Sequence, residues 1–379
     1  MRYSTTRTEA PSSRAARNIE VKPGHRGLTL LLLLASTGLP ARTAEIAYNV
    51  VDLGWLGGND CGANGINSSG MITGTCETAS GELHAYRWDA INGMQDLGNT
   101  PDGLGTGAYA INDSGVIVGK TYDLSGSQAW YHDGEYHYIP HPERGSLAFD
   151  INNSGAIVGV AVFADTGLRA FKYYNGVIEN LGSLGGASAA ASINADGVIV
   201  GNSEGGGAFR KFDGSPMHSL QFGGIDSAAY AINDAGQVVG IVLDGIGAGQ
   251  YHAVRWDGSV HNPGTLGGCS QAVDINSSGV IVGHSAISGC SGLRGFVYSE
   301  VTGLQDLNGL IAPDSGWTIS LAQAIDDNGR IVGRGIINGE AHAIRLDPVN
   351  PVPEPGTAFL MAAALGLAGL QGKRRTGRP

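Results

Sequence analysis

Charge is scarce in this 379-residue chain: Asp, Glu, Lys and Arg make up 15% of it, too little for a coiled coil or for long solvated helices. Proline is low as well, at 14 residues, while apolar residues reach 42%, which excludes wholesale disorder. Cysteine is limited to 4 residues, with no Cys-x-x-Cys and no clustered His beside them. The abundant residue is glycine, at 62, about one residue in six. It follows no Gly-X-Y period, so collagen is excluded. A turn-rich, all-β protein is what remains.

Both ends read as addresses rather than fold. Residues 1–44 hold seven basic and two acidic side chains, the apolar run Leu30 to Leu34, and then small residues up to Ala44. That order predicts a secretory signal peptide; the run is too short to span a bilayer, which takes about 20 residues. At the other end, Val352-Pro353-Glu354-Pro355 precedes the apolar stretch Thr357 to Leu370, and Lys373-Arg374-Arg375 with Arg378 follows. This layout resembles the PEP-CTERM sorting signal of Gram-negative bacteria. The resemblance implies recognition by an exosortase after passage through the secretion machinery, and transient anchoring in the inner membrane by a short helix with a basic cytoplasmic tail. Removal of the tail and delivery to the cell surface or matrix would follow. The expected domains are the signal peptide (1–44), a repeat body (45–348), a Pro-rich linker with the motif (349–356) and the removed helix and tail (357–379).

Between the ends the body is strongly acidic. Residues 45–356 carry 32 acidic and 12 basic side chains, a net of −20 against −11 for the whole chain. Such a surface repels nucleic acid and anionic lipid.

A nine-residue phrase recurs at 66–74, 111–119, 151–159, 193–201, 232–240, 275–283 and 325–333, spaced 39 to 50 residues apart. Each copy begins Ile-Asn (Ile-Asp in the last), has Gly fifth and ends in Gly. A second phrase, fullest as His84-Ala85-Tyr86-Arg87-Trp88, returns at 128–132, 169–173, 207–211, 252–256, 294–298 and 342–346. A third ends in Asp-Leu-Gly or similar, as at Asp96-Leu97-Gly98. Together the three phrases resemble the unit of the HAF-repeat family of bacterial extracellular proteins over residues 50–347.

The Ile-Asn-x-x-Gly phrase has the chemistry of a tight hairpin: Asn bonds its own backbone and Gly supplies a left-handed residue. This reading is set against cation ligation by the seven Asn/Asp. Ahead of each Ile, small residues recur with period two, Ala at three before and Ser, Thr or Cys at five before. That pattern predicts a strand with one face pressed on a crowded neighbour, as in the innermost strand of a propeller blade. The other phrases supply strands two, three and four. The last repeat lacks a fourth-strand phrase, and an extra copy stands at the start, Tyr48 to Gly54. The expected fold is therefore all-β, a seven-bladed β-propeller of four-stranded blades closed by the N-terminal strand; an open β-solenoid is the alternative. Closure removes the sheet edges an open stack would expose. Cys61 with Cys76 and Cys269 with Cys290 bracket hairpins, and an even count in an exported chain predicts two local disulfides.

Chemistry is harder to find. Gly201-Asn202-Ser203-Glu204-Gly205 has the spacing of a nucleophile elbow but ends a repeated strand instead of entering a helix. His84, His252 and His342 occupy equivalent places in different blades, which favours a structural hydrogen-bonding role. Asp150 and Asp274, each just before its turn Ile, are loose candidates for a carboxylate pair. Aromatics in the irregular segments 136–145 and 308–317, namely Tyr136, Tyr138 and Trp317, are candidate ligand contacts, set against burial between blades as the default. No catalytic, cofactor or metal residues are assigned. The expected function is non-enzymatic: a binding or structural propeller contacting extracellular polysaccharide or matrix protein. The alternative is a secreted polysaccharide hydrolase or lyase.

Overall fold

Each Ile-Asn-x-x-Gly phrase closes a hairpin. In the first copy Gly70 N–H donates to the Asn67 carbonyl (2.9 Å) and Asn67 N–H to the Met71 carbonyl (3.0 Å). The turn glycine has φ of +85°, as Gly155 also does in the third copy, a conformation that penalises any Cβ. The same hydrogen-bonded turn recurs in all seven copies.

The protein is represented by a computed structural model that describes residues 47–122, 126–140, 145–223, 226–243 and 250–349. The expected signal peptide (1–44) and sorting segment (351–379) lie outside the described residues. Seven four-stranded antiparallel sheets make up the fold, each ordered along the chain from innermost to outermost strand except the last. Blade 1 runs Gly57–Ile66, Ile72–Thr78, Leu83–Asp89 and Gly93–Asp96. The innermost strands of blades 2 to 6 are Gly105–Ile111, Ser146–Ile151, Ser188–Ile193, Asp226–Ile232 and Ser270–Ile275. Blade 7 takes Thr318–Ile325, Ile331–Ile337 and Glu340–Val349 from the C-terminal side, and its outermost strand is the N-terminal Ala47–Asp52. That strand pairs antiparallel with Glu340–Val349, from Ala47 opposite Val349 to Asp52 opposite Ile344. The array is thus a closed β-propeller and not an open solenoid. Its only helical turn among the described residues is Leu307–Gly309.

The core lies between blades. The third strand of most blades places a large side chain opposite the glycine that ends the nine-residue phrase: Gly74 faces Tyr86, Gly119 faces Trp130 and Gly159 faces Phe171. Tyr86, Trp130 and Phe171 are fully buried, each contributing about 2–3 kcal/mol of hydrophobic stabilisation. These glycines are needed for close approach, not for φ. A Cβ on Gly159 would lie 1.9 Å from the Leu147 carbonyl oxygen and 3.0 Å from the Phe171 ring.

One feature of the innermost strands departs from strict alternation. Each slips register between the Ala three before the Ile and the residue one before it, as between Ala148 and Asp150 or Ala272 and Asp274. This recurrent bulge adds one unpaired residue per blade and bends the strand at the axis.

Candidate functional site

The bulge decides what lines the axis. Extra residues such as Tyr109, Phe149, Tyr230, Asn64 and Gln323 meet the small or acidic residues that follow them around a cavity of about 180 Å³. Tyr109 and Phe149 pack edge to face with ring centres 5.6 Å apart. Two carboxylates share the cavity wall, Asp150 from blade 3 and Asp274 from blade 6.

Both carboxylates bridge to the next blade. Asp150 accepts from its neighbour Ile151 N–H (2.8 Å), and across the blade gap from Ile193 N–H (2.9 Å) and the Ser192 hydroxyl (2.8 Å). Asp274 accepts from Ile275 N–H and, across to blade 7, from Ile325 N–H, both at 2.8 Å. Burial raises the pKa of both, and for Asp274 the result stands at about 6, with its two backbone donors opposing the shift and the charges of Asp150 and Asp327 adding to it. The two acids line one cavity, each tied to a separate blade junction.

Below the cavity the seven turns form a hydrogen-bonded ring. The Asn67 side-chain amide donates to the Asn112 carbonyl (3.0 Å), and Asn112 to Asn152, Asn152 to Asn194, Asn194 to Asn233, Asn233 to Asn276, and Asn276 to Asp326. Each side-chain oxygen meanwhile accepts from its own turn, as Ala156 N–H donates to Asn152 Oδ1 (3.0 Å). The turn chemistry expected from sequence is present, and the amide adds a clip between blades that sequence reasoning missed. Asp326 has no amide to donate. Arg330 replaces it, donating through Nε to Asp326 (2.6 Å) and through Nη2 to the Ser68 carbonyl of blade 1 (3.0 Å).

The other recurrent polar residues are also clips. Thr106, Ser146, Ser188, Ser227 and Ser270 accept from the Ala N–H of the preceding blade's third strand, at 2.9–3.0 Å. His84 Nδ1 meets Asp96 at 2.9 Å and His342 Nδ1 meets Asp52 at 3.1 Å, so these histidines tie third strands to fourth strands. Ser203 is buried, accepts from Leu184 N–H (2.9 Å), and ends a strand rather than an elbow.

The three aromatics singled out from sequence are half-buried at blade contacts. Tyr136 donates to the Gly98 carbonyl (3.2 Å) and packs edge-on against Trp130, and Tyr138 donates to Asp102 (3.0 Å). Trp317 stands edge-on to His342, 5.6 Å between ring centres. Cys61–Cys76 and Cys269–Cys290 are disulfides within the first hairpins of blades 1 and 6. Among the described residues no group of three or more His, Cys, Asp or Glu is placed to hold a metal.

The PEP-CTERM protein-sorting motif family matches residues 351–375, which contain Val352, Pro353, Glu354 and Pro355. No curated protein matches the chain significantly. Among solved structures, virginiamycin B lyase from Staphylococcus aureus is similar in fold at 11% identity, with a TM-score of 0.53 over 80% of this chain and 100% of that one. A mutant of AofleA from Arthrobotrys oligospora (12% identity, TM-score 0.35, 79% and 86% covered) is more distant. So is the WD40 domain of SCAP from fission yeast (9%, 0.32, 79% and 98%). The motif behind the last blade marks the chain as an exported, exosortase-sorted propeller directed to the cell surface.

Proposed function

We propose that the chain is a surface or matrix protein whose propeller is a non-enzymatic binding module for extracellular polysaccharide or matrix protein. In this reading residues 1–44 direct export and 45–348 form the working body. Residues 349–356 link it to a helix and basic tail (357–379) that anchor the chain transiently in the inner membrane of a Gram-negative bacterium and are removed on sorting. The observation that carries the reading is the use of the recurrent polar residues. The asparagines, serines and histidines that recur are engaged in holding blade to blade or strand to strand, so a rigid scaffold with variable loops is what they build. The resemblance of the repeat unit to HAF-repeat extracellular proteins supports the same address.

The test is localisation and capture of the full chain in an exosortase-bearing host. The wild type is expected at the surface, shortened at its C-terminus by mass spectrometry and retained by the host's exopolysaccharide. Pro353→Ala with Glu354→Ala is expected to keep its tail and stay with the membrane fraction. Unchanged surface delivery of that variant overturns the sorting claim.

A second reading, a polysaccharide hydrolase or lyase, draws on one observation: Asp274, with its raised pKa, lines the same axial cavity as Asp150. Reducing-sugar release by the wild type that disappears in Asp274→Asn would favour it.

A further inference from the structure

We propose that the seam where the N-terminal strand closes the ring carries a saccharide site built on Trp55, Trp317 and His342, which takes a neutral hexose unit of an extracellular polysaccharide. The proposal deepens the binding reading above and rests on it.

Trp55 stands out from its repeat. It follows Asp52-Leu53-Gly54, and the residues at the same place after the comparable phrases are the small Asn99, Ser183, Thr265 and Gly309, and Phe222, an aromatic that is buried at 3% exposure. The fold therefore does not demand an indole there. Yet Trp55 is 54% exposed, a large apolar surface left in water at a position where smaller residues suffice elsewhere. Gly54, with φ of +88°, turns the chain just beyond the closing strand, immediately before the indole.

What it meets there is equally particular. Trp55 lies against the His342 ring at 5.2 Å and 60°, and Trp317 packs edge-on against the same imidazole at 5.6 Å and 84°. Trp317 closes the irregular segment 308–317. It fits because Gly335 lies beneath it: a Cβ there would come 2.8 Å from the Trp317 ring. His342 itself is 7% exposed and held by both Asp52 oxygens at 3.1 and 3.2 Å, so the platform is fixed before any ligand arrives.

The rim sets the ligand class. Glu340 stands 3.9 Å from His342 Nε2 with an exposed side chain, and Asp52 is partly exposed on the other side. An indole face covers the C–H face of a pyranose, and neighbouring carboxylates accept from its hydroxyls. The same carboxylates, on a body of net charge −20, repel uronates and sulfated sugars.

The test is affinity electrophoresis of the mature protein through gels containing dextran, galactomannan or alginate, with tryptophan fluorescence alongside. The wild type is expected to be retarded by at least one neutral polymer and not by alginate. Trp55→Ala, with an unchanged Tm, is expected to lose at least tenfold in affinity together with the binding-induced fluorescence change. Retardation equal for wild type and Trp55→Ala places the sugar elsewhere and overturns this site while the binding reading stands. Preference for alginate overturns the assigned ligand class. No retardation by any of the three polymers overturns both this site and the polysaccharide reading.

Discussion

Arg330 Nη2 donates to the carbonyl oxygen of Ser68 across 3.0 Å, joining the last turn of the ring to the first over 262 residues of sequence. Six asparagines make the corresponding link elsewhere, and here Asp326 with Arg330 takes their place. The Asp326 carboxylate is 6% exposed and depends on that guanidinium. Arg330→Gln should therefore destabilise the protein by about 3 kcal/mol, because it strands a buried charge. Adding Asp326→Asn should recover most of the loss, since the new amide can donate as its six counterparts do. Urea midpoints of the two single variants and the double variant give the coupling; additive losses would show that the ring closes by other means.

Two glycines of one phrase should fail for different reasons. Gly155 has φ of +85° and open space around its Cβ position, so Gly155→Ala should cost about 1–2 kcal/mol of backbone strain. Gly159 has ordinary φ, but a Cβ there meets the Leu147 carbonyl at 1.9 Å, so Gly159→Ala should cost about 3 kcal/mol from overpacking. Gly155→Asn separates the mechanisms: Asn tolerates the left-handed region and should recover part of the loss, whereas Gly159→Asn should be worse than Gly159→Ala. Thermal unfolding of the four variants reads the order.

Asp274 should make the fold less stable as pH rises from about 4 to about 6. Its folded pKa of about 6 lies above the ordinary carboxylate value, so in that window the folded state holds a proton the unfolded state has released. The penalty is complete above pH 6, at most about 3 kcal/mol, and is relieved on acidification. Asp274→Asn should flatten this part of the stability curve relative to wild type, measured as the urea midpoint between pH 4 and 7. A difference between the two proteins that does not change with pH would contradict the assignment.

Much of this architecture is legible in the sequence because it repeats. The hairpin glycines, the small residues three and five before each Ile, and the displaced copy from Tyr48 to Gly54 all lead to a ring closed by its N-terminal strand. What could not be read depends on backbone partners far away in the chain. Nothing local to Asn152 announces that its amide donates to the carbonyl of Asn194. The bulge hides too: it leaves Ala148 facing a neighbouring blade while turning Phe149 and Asp150 to the axis, so period-two reasoning fails at the last step. Trp55 is readable in principle, as the one indole where sister phrases carry Asn, Ser, Thr, Gly or Phe. It sits inside a repeated phrase, where attention falls on what recurs.

The disulfides brace the seam from both sides. Cys61–Cys76 lies in blade 1 and Cys269–Cys290 in blade 6, the two neighbours of blade 7, whose outermost strand is held to the rest without a covalent link inside the blade. The bridged pairs are 15 and 21 residues apart, so chain entropy assigns each roughly 3 kcal/mol. Replacing either pair by Ala should lower stability by about that amount. The loss in the protein lacking both pairs should exceed the sum of the two separate losses, because both blades support the same noncovalent closure. Hydrogen exchange locates the effect: in the doubly substituted protein the amides of Ala47–Asp52 and Glu340–Val349 should lose protection first. Equal loss of protection around the whole ring would mean that the closing strand is no weaker than the other junctions.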